Sequence, residues 1–123
     1  MISNAESFRL EARYQMICAV CGKGGAFHAH HVVDKGWLKA RGMPENDTRN
    51  ALRLCVRCHM QHEWAGPGKV DIPLAKLQDQ NICYAFEAMG DGAAVYLERH
   101  YTGLDDRLRR HLDHECELCQ LPS

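Results

Sequence analysis

Two Cys-x-x-Cys pairs constrain this chain more than any other feature of its sequence. Cys18 and Cys21 form the first pair, and Cys55 and Cys58 form the second. A turn of this kind presents two thiolates to one ion, and zinc prefers four ligands in a tetrahedron. The two pairs together predict one structural Zn²⁺ that ties distant parts of the chain. Unrelated buried thiols are the alternative, which two pairs at this separation make a poor explanation.

A bound metal ion would help to stabilise a chain of this length. With 123 residues, we expect one domain, with or without an appendage, and only a modest core. Small cores are commonly reinforced by a metal or by disulfides. The seven cysteines are an odd number, and the N-terminal sequence lacks a signal-peptide pattern. We therefore expect a cytoplasmic protein without a membrane-spanning segment, in which the paired cysteines bind metal.

The net charge of −1 conceals an uneven distribution of charge. Residues 22–69 have a balance of +4, whereas residues 70–123 have a balance of −5. A basic part joined to an acidic tail suits a contact with nucleic acid on one side of the protein. Ordinary surface charge explains the same balance equally well, so charge alone does not decide between the two.

Hydrophobic patterning predicts an α+β fold. A short N-terminal helix leads to the first cysteine pair, and a later helix begins at the second pair. Between them we predict two short strands joined by a loop, and beyond them several helices that pack on this unit. The predicted elements are a strand over 26–33, a loop over 34–49, a strand over 51–54 and a helix from 55 to about 64. The predicted division is a zinc-stapled unit over 1–68 and a helical appendage over 69–123.

Histidines and an asparagine lie between and beside the cysteine pairs. His30 and His31 are on the first predicted strand, Asn50 precedes the second, and His59 and His62 are on the helix. Taken alone, each of these residues is explained equally well as a spare metal ligand, a capping residue or a surface residue. Together they suffice to bind one divalent cation and leave one imidazole free.

This arrangement resembles the zinc-knuckle branch of the HNH endonucleases. The resemblance rests on the first Cys-x-x-Cys pair, then His30-His31, then the segment from Asn50 to Cys58-His59, and it covers about residues 18–63. The active unit of that family is a ββα-metal fold. The resemblance implies that His30 and His59 bind the catalytic metal, that His31 is the general base, and that Asn50 braces the loop orienting His31.

One further ligand stays open at this point. Some relatives have a second helical histidine four residues after the first, where this chain has Glu63, and His62 lies three residues after His59. Both spacings share a helix face with His59, so either side chain is a candidate ligand. His62 is the preferred one, and two protein ligands completed by waters are the alternative. Adjacent strand residues also point to opposite faces. His30 and His31 can therefore flank one centre only if the strand ends or bends there.

The resemblance implies a function as well as a fold. It implies hydrolysis of phosphodiester bonds in double-stranded DNA, with a structural Zn²⁺ and a catalytic Mg²⁺, Mn²⁺, Ni²⁺ or Zn²⁺. Arg53, Arg57 and Lys35 are candidates to contact the phosphates, a role that positions DNA without reading its sequence. Small stand-alone nucleases of this kind are common in bacteriophage and mobile genomes, which would place this protein in a host cytoplasm.

Two other functions and one other metal site remain open. A non-catalytic zinc ribbon that binds DNA or protein accounts for the cysteines and the basic stretch, but not for the histidines and Asn50. An adaptor acting through its helical tail requires no ion beyond zinc. The tail itself contains a ligand-like run that could bind a second zinc, and Cys83 is interpreted as a buried core thiol. The residues of that run are His111, His114, Cys116 and Cys119.

Overall fold

The computed structural model describes residues 4–63 and 72–116, apart from the side chains of residues 62 and 63. These residues form an α+β protein with one two-stranded sheet, as the sequence predicts. The chain divides into two compact units, Met1–Gln61 and His62–Ser123. In the described part, no helix has the length and apolar character needed to cross a membrane. The elements are α1 Asn4–Tyr14, β1 Phe27–His31, α2 Lys35–Ala40, β2 Ala51–Cys55, α3 Val56–Glu63, α4 Asp79–Met89, α5 Gly92–His100 and α6 Asp106–Leu112.

The sheet of the N-terminal unit has two faces with different partners. Strands β1 and β2 pair antiparallel, and α3 begins directly after β2. Successive side chains of a strand alternate between its faces. Phe27 and Ala29 of β1 pack on a buried cluster formed by Phe8 and Ala12 of α1 with Ala51 of β2. The side chains at positions 28 and 30 consequently lie on the face away from α1.

The connection between the strands is more ordered than the predicted loop. It contains α2, which begins where the Asp34 carboxylate accepts a hydrogen bond from the Trp37 amide at 3.1 Å. This carboxylate satisfies one of the amides that a helix start leaves unpaired. The strand β1 is also shorter than predicted and ends at His31. The next backbone groups turn away from the ladder because they bond to Asn50.

The described residues of the C-terminal unit lie mainly in helices. Helices α4, α5 and α6 each contact the other two, and apolar side chains from all three are buried. Gly90 ends α4 with a φ of 66°, a conformation that costs a glycine little. Leu104 is 88% exposed and precedes the first residue of α6. Helix α6 begins later because Asp105 caps it.

Candidate functional site

The two cysteine pairs converge on one point in the N-terminal unit. The ligand atoms of all four cysteines lie within 4.8 Å of one another, and the Sγ atoms of Cys21 and Cys55 are 3.6 Å apart. Four thiolates at ~2.3 Å from one zinc ion in a tetrahedron would be about 3.8 Å apart. The four cysteines therefore form a group that could hold a structural metal ion, as the sequence predicts. The group comprises Cys18, Cys21, Cys55 and Cys58.

Backbone amides support the thiols in both turns. The amides of Val20 and Cys21 donate to Sγ of Cys18 at 3.4 and 3.5 Å, and the amide of Cys58 donates to Sγ of Cys55 at 3.4 Å. Gly22 closes the first turn with a φ of 75° and a hydrogen bond from its amide to the Cys18 carbonyl at 2.9 Å. The hydrogen bonds within the two turns thus orient the sulfur atoms toward one point.

Those amides also favour thiolate over thiol at two of the sulfurs. Burial raises the pKa of Cys18, but hydrogen bonds led by the Cys21 amide outweigh it and lower that pKa to about 6. The Cys58 amide lowers the pKa of Cys55 in the same way. Because the thiolate is the form that binds metal, the donor set fits a soft or borderline ion such as zinc.

A cluster of three histidines lies on the sheet face away from α1. His28 and His30 of β1 occupy alternate positions, and both approach His59 of α3. The Nδ1 atoms of His28 and His59 are 2.7 Å apart, and the ring centroids of His30 and His59 are 6.1 Å apart. His30 is buried, whereas His28 is exposed. The strand and the helix therefore bring together the two histidines that the resemblance assigned to one metal, His30 and His59.

His28 is the member of this cluster that the sequence interpretation missed. The signal was present, because residues two apart on a strand share a face and His28 lies two residues before His30. The three imidazoles are less closely gathered than the cysteines. Among the described side chains, only two groups bring three or more ligand atoms within 4.8 Å of one another, namely the four cysteines and the group Cys83, His111 and Cys116.

His31 lies on the opposite face of β1 from His30. Its ring stacks on Phe8 of α1, with centroids 4.2 Å apart, and its Nε2 is 3.4 Å from Oδ1 of Asn46. His31 pairs with Ala51 in the ladder and is the last residue of β1, so the strand ends where it must end or bend if His30 and His31 are to flank one centre.

The surroundings of His31 still suit a proton acceptor. Partial burial, the largest effect, lowers its pKa below the usual value, and the hydrogen bond with Asn46 opposes the shift without cancelling it. The imidazole is therefore neutral at physiological pH. The contact with Asn46 ties the ring to the loop before the 3-10 turn Thr48–Asn50.

Asn50 braces the exit of β1. Its side chain is fully buried, its Oδ1 accepts from the Val33 amide at 2.7 Å, and its Nδ2 donates to the Val33 carbonyl at 3.0 Å. The Asn50 carbonyl also accepts from the Val32 amide at 3.1 Å. The segment directly after His31 is thus fixed to the start of β2.

The three basic candidates divide into one buried and two exposed side chains. Arg53 is 7% exposed, and its guanidinium donates to the carbonyls of Gly25 and Arg13 at 2.7 and 3.3 Å. A guanidinium used in this way cannot hold a phosphate, so we exclude Arg53 from the candidate DNA contacts. Arg57 on α3 and Lys35 at the start of α2 are exposed and remain candidates.

The choice between His62 and Glu63 as a further ligand concerns side chains outside the described residues.

Comparisons of the chain with protein-family models, with curated proteins and with solved structures found no significant match in any of the three.

Proposed function

We propose that this chain is a metal-dependent endonuclease of the HNH type that hydrolyses phosphodiester bonds of DNA. The observation that carries the proposal is the meeting of His30 on β1 with His59 on α3. These two histidines lie on the β1–β2 strand pair and on the helix α3 that follows it. The cysteine group connects the turn before β1 to the junction of β2 and α3. In this proposal the β1–β2–α3 unit is a ββα-metal fold, and the ion held by the four cysteines is zinc.

The histidine cluster is the proposed site of the catalytic cation. His30 and His59 are the proposed ligands, and His28 is a third candidate because its Nδ1 is within hydrogen-bonding distance of His59. Imidazole suits several divalent metals. When bound, such a cation would act as a Lewis acid toward the phosphodiester and stabilise the leaving oxygen. An exposed His28 leaves this face of the sheet accessible to a substrate.

His31 is the proposed general base. Its lowered pKa keeps the ring neutral, so it can accept a proton from the attacking water. His31 is also the last residue of β1. A phosphodiester lying across the end of the strand could therefore approach both His31 and the cluster on the other face. Asn50 would serve as a positioning residue, because it holds the backbone that follows His31.

Charge supports DNA as the substrate of this unit. The net positive balance of residues 22–69 includes the exposed Arg57, which is two residues from His59 on α3. Exposed Lys35 lies four residues after His31. Basic side chains near the histidines would neutralise phosphates and position the backbone without selecting a sequence.

Conversion of supercoiled plasmid to nicked and linear forms tests the proposal. The wild-type protein is compared with His31→Ala, His28→Ala and His59→Ala in Mg²⁺, Mn²⁺, Ni²⁺, Zn²⁺ or EDTA. His31→Ala should lower the rate by about 10²–10⁴-fold with the fold and cysteine-bound metal retained. His59→Ala should shift activity to higher concentrations of added metal. His100→Ala, in the C-terminal unit, is the control and should cut as the wild type does.

Other outcomes would change the assignment. A severe loss in His28→Ala with normal cutting by His31→Ala would transfer the role of base to His28. No cutting of any DNA form with any ion, from protein that keeps its cysteine-bound metal, would contradict the nuclease. The chain would then be better explained as a zinc ribbon that binds DNA or protein without catalysis.

A further inference from the structure

The C-terminal unit contains a second cluster of metal-ligand side chains. Sγ of Cys83 on α4 is 3.3 Å from Nε2 of His111 on α6 and 3.7 Å from Sγ of Cys116. The three ligand atoms all lie within 4.8 Å of one another. Cys83 is therefore not the simple core thiol that the sequence interpretation made it, since it is half-buried and faces two other ligands.

The imidazole of His111 is oriented as a metal ligand would be. Its Nδ1 is 2.8 Å from the carbonyl of Arg107. A carbonyl only accepts hydrogen bonds, so Nδ1 carries the proton and Nε2 presents a lone pair toward Cys83. The ring is 8% exposed and stacks on Phe86, with centroids 4.6 Å apart. A hydrogen bond from the far nitrogen to a backbone carbonyl is a common support for metal-binding histidines.

The end of α6 brings Cys116 back to Cys83. The His114 amide donates to the His111 carbonyl at 3.1 Å, and the Glu115 amide donates to the Arg110 carbonyl at 2.7 Å. With the φ of His114 at 56°, these bonds form a Schellman motif, which reverses the chain at a helix end. His114 thus shapes the turn and is exposed, and it does not belong to the cluster.

The distances favour a shared metal over a disulfide. A disulfide requires its sulfurs to be ~2.05 Å apart, whereas those of Cys83 and Cys116 are 3.7 Å apart. Two thiolates on one zinc ion would be about 3.8 Å apart. Thiolate and imidazole together are the ligand types that structural zinc sites use.

We propose that Cys83, His111 and Cys116 bind a second structural zinc ion that joins α4 to the end of α6. Cys119, which the tail sequence also offers as a ligand, lies outside the described residues. This ligand set differs from the one suggested by the tail sequence, since Cys83 replaces His114. The site stands independently of any nuclease activity.

Metal content of the full-length protein tests this site. After dialysis against a weak chelator that removes loosely bound ions, the wild type should retain about two zinc ions per chain, one for each closed site. Cys83→Ser and His111→Ala should each lose about one of them. His114→Gly is the matched control, because it keeps the turn with less backbone strain and should retain both. Equal zinc in Cys83→Ser and wild type would overturn the proposal, as would loss of zinc in His114→Gly.

A second measurement does not depend on the variants folding. The wild-type protein loaded with ¹¹³Cd²⁺ should show two well-separated NMR resonances, one for the four-cysteine group and one for the site that contains Cys83, His111 and Cys116. A single resonance would overturn the second site, and it is the result expected if Cys83 and Cys116 form a disulfide instead.

Discussion

Asn50 and Val33 exchange two buried hydrogen bonds, one from the Val33 amide to Asn50 Oδ1 and one from Asn50 Nδ2 to the Val33 carbonyl. An asparagine is the residue that can serve both backbone groups, because its amide offers a donor and an acceptor side by side. The pair fixes the chain directly after the proposed base to the strand that leads to the second cysteine pair. Local geometry at His31 and the stability of the N-terminal unit therefore depend on the same side chain.

Asn50→Ala should lower both stability and plasmid cutting. Removing the side chain leaves the buried amide and carbonyl of Val33 without these bonds, at a cost of about 1–3 kcal/mol for each unsatisfied group. Urea unfolding measures the first effect and plasmid nicking the second. Asn81→Ala is the control, because Asn81 is equally buried but lies in the C-terminal unit. A loss of nicking in Asn81→Ala as large as in Asn50→Ala would contradict a local role for Asn50.

Removing one thiol of the first cysteine group should unfold the N-terminal unit. Cys21→Ser deletes a ligand, and the free energy of metal binding is part of the folding free energy of such a unit. We expect loss of one bound zinc and of protection from proteolysis. Cys21→His restores a fourth ligand that zinc accepts, and the exposure of Cys21 leaves room for the ring. Cys21→Ser that remains folded without metal would contradict a structural role for the ion.

Substitution of Arg53 should lower the stability of the protein, whereas substitution of Arg57 should weaken its binding to DNA. Arg53→Met removes two hydrogen bonds to carbonyls and a guanidinium that lies 4.3 Å above the Phe27 ring, so it should lower the free energy of unfolding. Arg57→Ala should leave stability unchanged. It should weaken DNA binding and reduce the slope of log affinity against log salt by about one, as expected for loss of one phosphate contact. Denaturation and fluorescence anisotropy at several salt concentrations measure the two effects.

Stability of the C-terminal unit should depend on the charge of Asp105. Its carboxylate caps α6 and pairs with Arg107 at 2.9 Å, and the Arg107 hydrogen bond is the main cause of a lowered Asp105 pKa. The unfolded chain therefore takes up the proton at a higher pH than the folded chain does. The stabilisation is present above the usual carboxyl range near ~3.9 and is lost as the pH falls through the lower, folded value.

The matched variant is Asp105→Asn, which keeps a capping side chain and removes the charge. Wild type should be more stable than this variant at neutral pH, and the difference should vanish in acid. Urea unfolding of both proteins at several pH values measures it. A difference that is constant with pH would show that the charge of Asp105 contributes nothing to stability.

Much of the candidate site was predictable because its signals are local. Spacing of two residues within each cysteine pair imposes a tight turn, and the pairing of such turns on one ion follows from the coordination of zinc. The α+β fold and the helical second half follow from the period of apolar residues. The capped helix α2 was predictable in part, since Asp34 is a good N-cap, but its six residues are too few for a clear helical period.

The placement of side chains between distant segments was decided by tertiary structure. Arg53 has the same charge as Arg57, and only the packing of α1 on the sheet surrounds it with carbonyls. His30 and His31 are adjacent in the sequence, yet the unbroken ladder to the end of β1 sends them to opposite faces.

What the sequence determines by itself is therefore the composition and order of the ligand-bearing turns, together with the class of fold. These depend on residue types and on separations of a few positions. The partner of each side chain depends on segments far apart in the chain, such as Cys83 and the end of α6. Contacts of that kind exist only when packing has brought the segments together. That is why Cys83 replaced His114 as a candidate ligand only in the folded structure.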